Sequence, residues 1–189
     1  LSELLRQHSF PECVSFLGGP RFFFNTHPRE LREDRLLGSL EKARSEFPQI
    51  RMAIEIHEAA VTDSKMVQRL MAELQRLDIL LVYDDFGAGQ ARLLELADVP
   101  PDFLKFDRSL IEDIDGAPPA RRRLVGSLAE LALDLGIDLI AEGVETEEEA
   151  RVCRGMGFAY GQGYLFSHPQ SIDQLAHGAD AGRSDPTSE

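Results

Sequence analysis

A chain of 189 residues with 43% hydrophobic and 28% charged side chains has enough apolar content for one folded core, which excludes a disordered polymer. Its 33 acidic against 20 basic residues leave a formal net charge of -13, so binding of a nucleic-acid polymer through a basic face is not expected. No apolar run reaches the roughly 18 residues of a membrane helix, and the start, Leu1 to Arg6, lacks the basic and apolar pattern of a signal peptide. Cys13 and Cys153 are too few for a thiolate zinc site and read as buried, reduced thiols, which points to a cytoplasmic protein.

The chain alternates short β-rich runs with longer helical ones. Arg21 to Asn25 reads as a strand, preceded by Gly18-Gly19-Pro20 and stopped by His27-Pro28. Arg29 to Phe47 then reads as helix, in one or two pieces. Met52 to Ile56 is the second strand. Ser64 to Leu77 carries Met66, Val67, Leu70, Met71 and Leu74 at helical spacing. Ile79 to Tyr83 is apolar throughout, as a strand covered on both faces should be. A short helix is expected around Leu93 to Leu96, followed by a strand over Phe103 to Asp107. Arg121 to Leu135 predicts a helix closed by Gly136. Ile137 to Ala141 is the fifth strand. Thr146 caps a helix running to Met156, with Glu147, Glu148 and Glu149 in its first turn. A sixth strand lies near Tyr160 to Tyr164. The polar stretch from 177 to 189 is expected to be a disordered tail after a domain over 1–176. Strand-helix alternation implies a parallel sheet covered by helices, either an open doubly wound sheet or a (β/α) barrel. Six strands are fewer than the eight of a closed barrel.

The polar residues fall in register with these runs. Asn25 ends the first strand, Glu55 the second, and Asp84 with Asp85 the third. Lys105 and Asp107 share one face at the end of the fourth, Glu142 ends the fifth, and Gln162 lies in the sixth. In parallel α/β folds the C-terminal strand ends form the functional face. One such charge meets solvent without further purpose; the repetition over five strands asks for a common cause. Clustered carboxylates repel unless protons or cations compensate, and an oxygen-rich donor set favours Mg2+ or Mn2+ over zinc. Asp84 and Asp85 are adjacent in an extended run, so only one is expected to face inward. The glycines of Asp84-Asp85-Phe86-Gly87-Ala88-Gly89 fit neither phosphate-binding glycine pattern. His57-Glu58 is no zincin helix because position 61 is Val61, and His57 alone reads as structural. Lys105 on an inward face needs carboxylate or phosphate partners, while Gln162 could equally satisfy backbone groups.

These residues resemble, in order, the motifs of the EAL domain family of bacterial cyclic di-GMP phosphodiesterases. Phe24-Asn25 with Pro28 resembles the family's asparagine strand. Glu55-Ile56-His57-Glu58 resembles its E-x-T/S-E motif, and Asp84 to Gly89 its D-D-F-G-T/A-G loop. Leu104 to Ser109 is similar to L-K-I-D-R-S. Ile140 to Thr146 and Gln162 to Phe166 are similar to its two closing motifs. The resemblance covers about Arg21 to Pro169 and implies a TIM-type (β/α) barrel, incomplete at the N-terminus. It implies two divalent ions, Mg2+ or Mn2+, and hydrolysis of cyclic di-GMP to the linear dinucleotide. Asn25, Glu55, Asp84 and Glu142 are then metal ligands, with Asp85 on the second ion. Lys105 orients or activates the attacking water, and Gln162 holds it or a ligand from the far side; both are catalytic candidates with Glu142 and Glu58. Glu58 anchors the Asp84 to Gly89 loop. Glu145, with Asp107, Phe86 and Gly87, supports the site or the substrate. A homodimer and fused sensory or regulatory domains upstream are also implied.

The sequence departs from the pattern in three places. The E-A-L motif, whose glutamate is a further ligand, would lie on early strands before Leu1. His57 replaces a small hydroxyl residue, and Gln90-Ala91-Arg92 replaces an aromatic and two serines. Three readings follow. The chain belongs to an active phosphodiesterase; or it is a catalytically degenerate module that binds cyclic di-GMP or a partner protein as a regulator; or it is a truncation whose parent is active.

Overall fold

The computed structural model describes residues 2–14, 19–31, 35–57, 64–89, 93–171 and 174–175. Helix α1 (Ser2–Cys13) leads into β1 (Arg21–Asn25), then α2 (Pro28–Leu31), α3 (Arg35–Glu46) and β2 (Arg51–His57). The chain continues through α4 (Ser64–Arg76), β3 (Ile79–Phe86), α5 (Leu93–Asp98), β4 (Phe103–Phe106) and α6 (Arg108–Ile111). It ends with α7 (Pro119–Asp134), β5 (Asp138–Glu142), α8 (Glu147–Gly155) and β6 (Tyr160–Gln162). Every neighbouring pair is parallel, and the spatial order is the sequence order, β1-β2-β3-β4-β5-β6. A doubly wound sheet reverses its strand order at a switch point. No reversal occurs among these six strands, so the open-sheet alternative is excluded and the winding is that of a barrel.

The sheet is curled. The Phe23 ring on β1 lies 5.6 Å from the Phe103 ring on β4, and Phe103 lies 5.6 Å from the Tyr160 ring on β6. At about 4.8 Å per strand, β1 and β4 in a flat sheet would stand roughly 14 Å apart. Their side chains meet only across a concave face. Six strands therefore form a half-barrel, as an incomplete TIM-type barrel requires.

Period-two alternation separates two apolar layers. Met52, Ile54 and Ile56, then Ile79, Leu81 and Tyr83, then Leu104 and Phe106, point outward into the main core beneath the helices. Val67, Leu70 and Leu74 supply the buried stripe of α4 in that core. Ala53, Val82, Phe103 and Ile140 form a smaller inner layer. Beside it lies a cavity of about 400 Å³ lined by residues including Phe23, Phe103, Lys105, Tyr160 and Gln162. The inner face is thus apolar toward the strand starts and polar toward the strand ends.

The strands fall where the apolar runs predict them, with two shifts that matter: β3 extends through Asp84 and Asp85, and β6 stops at Gln162. The expected Arg29 to Phe47 helix is two helices, α2 and α3. Helix α1 has no counterpart in the sequence reading, because its apolar positions are weakly periodic and Pro11 lies inside it. It is held by tertiary contact, with Phe10 against Phe24 at 4.8 Å. Both cysteines are free and buried, and burial pushes each thiol up to about 11, so neither is a nucleophile at neutral pH. The stretch 177–189 lies outside the described residues. None of the described helices is long and apolar enough to cross a membrane.

Arg44 on α3 joins three elements. Its guanidinium donates to the carbonyls of Leu77 (2.8 Å) and Asp78 (2.8 Å) after α4, and of Pro48 (3.0 Å) and Ile50 (2.8 Å) before β2. Arg44→Ala should lower the unfolding free energy by about 2 kcal/mol. Arg44→Lys should recover less than half of it in urea titrations, because one ammonium cannot span all four acceptors.

Candidate active site

Lys105 sits inward on β4, two residues after the inner-layer Phe103, so the strand period places its ammonium at the polar end of the concave face. It is 5% exposed. Its Nζ lies 2.6 Å from Glu142 Oε1 on β5, 2.8 Å from Asp84 Oδ1 on β3 and 3.1 Å from Glu55 Oε1 on β2. Glu55 is as deeply buried as the lysine. Four strands therefore deliver charges to one point, as their positions in the sequence imply. The Glu55 backbone is fixed from β1, since the N–H of Thr26 (3.0 Å) and its hydroxyl (2.8 Å) both donate to the Glu55 carbonyl.

Asp84 and Asp85 correct one expectation. Simple alternation would turn one of them away. Instead Asp85 adopts φ +59, a left-handed conformation that Asp tolerates better than most residues. The β3–β4 register slips between Tyr83 and Phe86 at the same place. This irregularity re-aims the strand end. Asp84, Asp85 and Glu142 consequently each offer a carboxylate oxygen within 4.8 Å of the others. Three oxygen donors at that spacing can hold a hard divalent cation. Asp85 also lies 3.2 Å from His57 Nε2 at the end of β2.

The remaining candidates differ in where they lie. Asn25 ends β1 in register with Glu55, and its carbonyl accepts from Arg6 at 3.0 Å. Gln162 ends β6 in register with Glu142 and lines the cavity. Its carbonyl accepts from the Val144 N–H at 3.0 Å. Asp107 does not share the Lys105 face: β4 has ended, and its carboxylate caps α6 through the Ser109 N–H at 2.9 Å. Glu145 pairs with Arg108 at 3.0 Å rather than joining the cluster. Phe86 is buried against Phe106 in the main core. Gly87 has φ +92, and a side chain there would strike Leu110 at 2.4 Å. Glu58 lies outside the described residues.

Two residues missed as site supports hold the loops. Arg6 of α1 is buried and pairs with Glu30 at 2.7 Å while bonding the Asn25 carbonyl. Nothing in the sequence spacing marks it. Glu149 completes a capping box with Thr146, and its carboxylate also accepts from the N–H groups of Asp113 and Glu145, each at 2.8 Å. That single carboxylate ties the loop after Glu142 to the loop after α6. The Thr146-x-x-Glu149 spacing carried the signal. Burial works against its charge, but these N–H donors outweigh burial and hold Glu149 below the usual carboxylate range.

The cluster has more negative than positive charge. Burial, with Asp84 and Asp85 adding to it, raises Glu55 above its ordinary value against the pull of Lys105. Burial raises Glu142 in the same way. Burial alone would lower Lys105, but Glu55, Asp84 and Glu142 hold its ammonium above the usual lysine range. A carboxyl raised in the folded state is stabilising only when protonated. Its contribution is therefore best below the ordinary carboxylate pKa of about 4.3 and declines as pH rises through the folded value. In chelator-treated protein, the stability of wild type relative to Glu142→Gln should fall as pH rises above about 4.3. A flat difference in pH-dependent urea titrations would contradict the shift.

The chain is similar to known proteins. A family model for the EAL domain matches residues 1–169. The cyclic di-GMP phosphodiesterase RocR of Pseudomonas aeruginosa is 33% identical over 159 residues, which cover 81% of this chain and 40% of RocR. The chain spans less than half the length of these curated relatives. The crystal structure of the EAL domain of Mycobacterium smegmatis DcpA superposes with a TM-score of 0.84 at 28% identity, over 97% of this chain and 86% of that one. Klebsiella pneumoniae BlrP1, in a manganese and cyclic di-GMP complex, gives 0.76 at 31% identity, over 89% and 44%. The chain belongs to the EAL domain family.

Proposed function

We propose that this chain supplies most of the catalytic site of a bacterial signalling phosphodiesterase that hydrolyses cyclic di-GMP to the linear dinucleotide with two divalent ions, Mg2+ or Mn2+. The observation that carries this reading is the trio Asp84, Asp85 and Glu142, with oxygens within 4.8 Å of one another beside the buried Lys105. The donor set fits hard cations: it is oxygen-rich, carries excess negative charge and contains no thiolate. Asn25, Glu55, Asp84 and Glu142 would hold the metals, with Asp85 on the second. When bound, such ions act as Lewis acids and lower the pKa of water.

The chain's own residues do the positioning. In the reaction a water oxygen bonds to phosphorus, one P–O ester bond breaks to open the ring, and a proton lost by the water ends on the departing ester oxygen. Glu55, Asp84 and Glu142 favour Lys105 as an ammonium. It donates hydrogen bonds, orienting the water and balancing charge on the phosphoryl oxygens. Gln162, facing it from β6, offers both a donor and an acceptor for the same water or a phosphate oxygen. Glu145 braces the Glu142 loop through Arg108. Residues 1–176 form the EAL unit. Its exposed Leu124 and Leu131 on α7 support homodimer formation. A second-messenger substrate fits a reaction in the cytoplasm.

Turnover should be measured by chromatography with Mg2+ and with Mn2+, on this chain and on the natural polypeptide that contains it. The polypeptide should release linear dinucleotide in at least one metal. Nucleotide binding with no turnover in either would leave only a binding module. Lys105→Ala should lower kcat by about 100-fold or more while changing nucleotide affinity less than about tenfold. Equal losses in both would remove the water-positioning role.

A further inference from the structure

We infer that His57 is a nitrogen ligand of the cation held by Asp85, and that it shifts the site's metal preference from Mg2+ toward Mn2+. The inference rests on the metal-site reading above and adds a donor to it. His57 closes β2, two residues after Glu55, so strand alternation carries it to the same face. It stands in register with Asp84. The re-aimed Asp85 then meets it: Nε2 lies 3.2 Å from Asp85 Oδ2.

That distance has a definite meaning at a metal site. Octahedral cations of this class bind donors at about 2.1 Å, so adjacent ligands stand roughly 3.0 Å apart. The His57–Asp85 pair already has nearly that separation. A cation could replace the shared proton with little movement of either side chain. The two side chains are also 47% and 39% exposed, so the pair opens to solvent and a cation can reach it. As a mere ion pair at such exposure it would contribute little to stability. Imidazole discriminates between metals where carboxylates do not. Mg2+ keeps oxygen ligands and water, whereas transition-series ions accept imidazole readily.

The test is pulsed electron paramagnetic resonance on the Mn2+-loaded protein without nucleotide, together with Mn2+ and Mg2+ affinities. Wild type should bind Mn2+ and show coupling to a directly bonded nitrogen. His57→Ser should lose that coupling, and its Mn2+ affinity should drop by about 10- to 100-fold, with a smaller loss for Mg2+. Bound Mn2+ with no nitrogen coupling in wild type, or coupling that persists in His57→Ser, overturns the inference and leaves the phosphodiesterase reading intact. Wild type that binds Mg2+ but no Mn2+ overturns the inference alone, and wild type that binds neither overturns both.

Discussion

A buried ammonium is tolerable only among acceptors, and in this fold three carboxylates from three other strands meet that need within 3.1 Å of Lys105 Nζ. The geometry this demands reaches well beyond the site. The ends of β2, β3, β4 and β5 must converge, which requires a curled sheet. The curl is visible lower down as well, where Phe23, Phe103 and Tyr160 meet edge to face across the concave side. The same ammonium does not neutralise the cluster. Asp85 adds a further carboxylate, and Glu55 and Glu142 are pushed upward in pKa. An excess of negative charge at a strand-end face is an electrostatic cost that a bound cation removes.

The cost is carried by the opposite face of the same strands. Outward residues of β2, β3 and β5 pack beneath the helices, while the inward residues at the strand ends serve the site. Loops are then pinned by buried charges that never touch the cluster. Arg6 holds the end of β1, and Glu149 holds the loop after β5. Gly163 lets the chain after β6 pass against Val144, where any side chain would strike the Val144 carbonyl at 2.1 Å. Val144 in turn accepts from the Leu165 N–H and donates to the Gln162 carbonyl, so the ends of β5 and β6 move as one unit.

Where the sequence reading failed, long-range contact had overridden local pattern. Helix α1 has little periodicity of its own, and its Phe10 finds order against Phe24 and Phe47. Asp107 looked like a site residue because two-residue alternation was carried one step past the end of β4, where the chain already turns into α6. The His57–Asp85 contact was not legible either, because a lone histidine has no partner in one dimension. Its neighbour Asp85 is 28 positions away in sequence, and only the slip in β3 aims the two together.

The order of apolar runs and the polar residue closing each one were legible from the sequence, because strand burial selects composition locally and parallel strands put their ends on one side. Those facts alone determined six strands, their helical cover and the membership of Glu55, Asp84, Lys105 and Glu142 in one site. Curl, the left-handed turn at Asp85, the Arg6 clamp and the His57–Asp85 contact were decided only by tertiary structure. The physical reason is common to all four. Each depends on a distance between residues far apart in the chain, and no local propensity encodes such a distance.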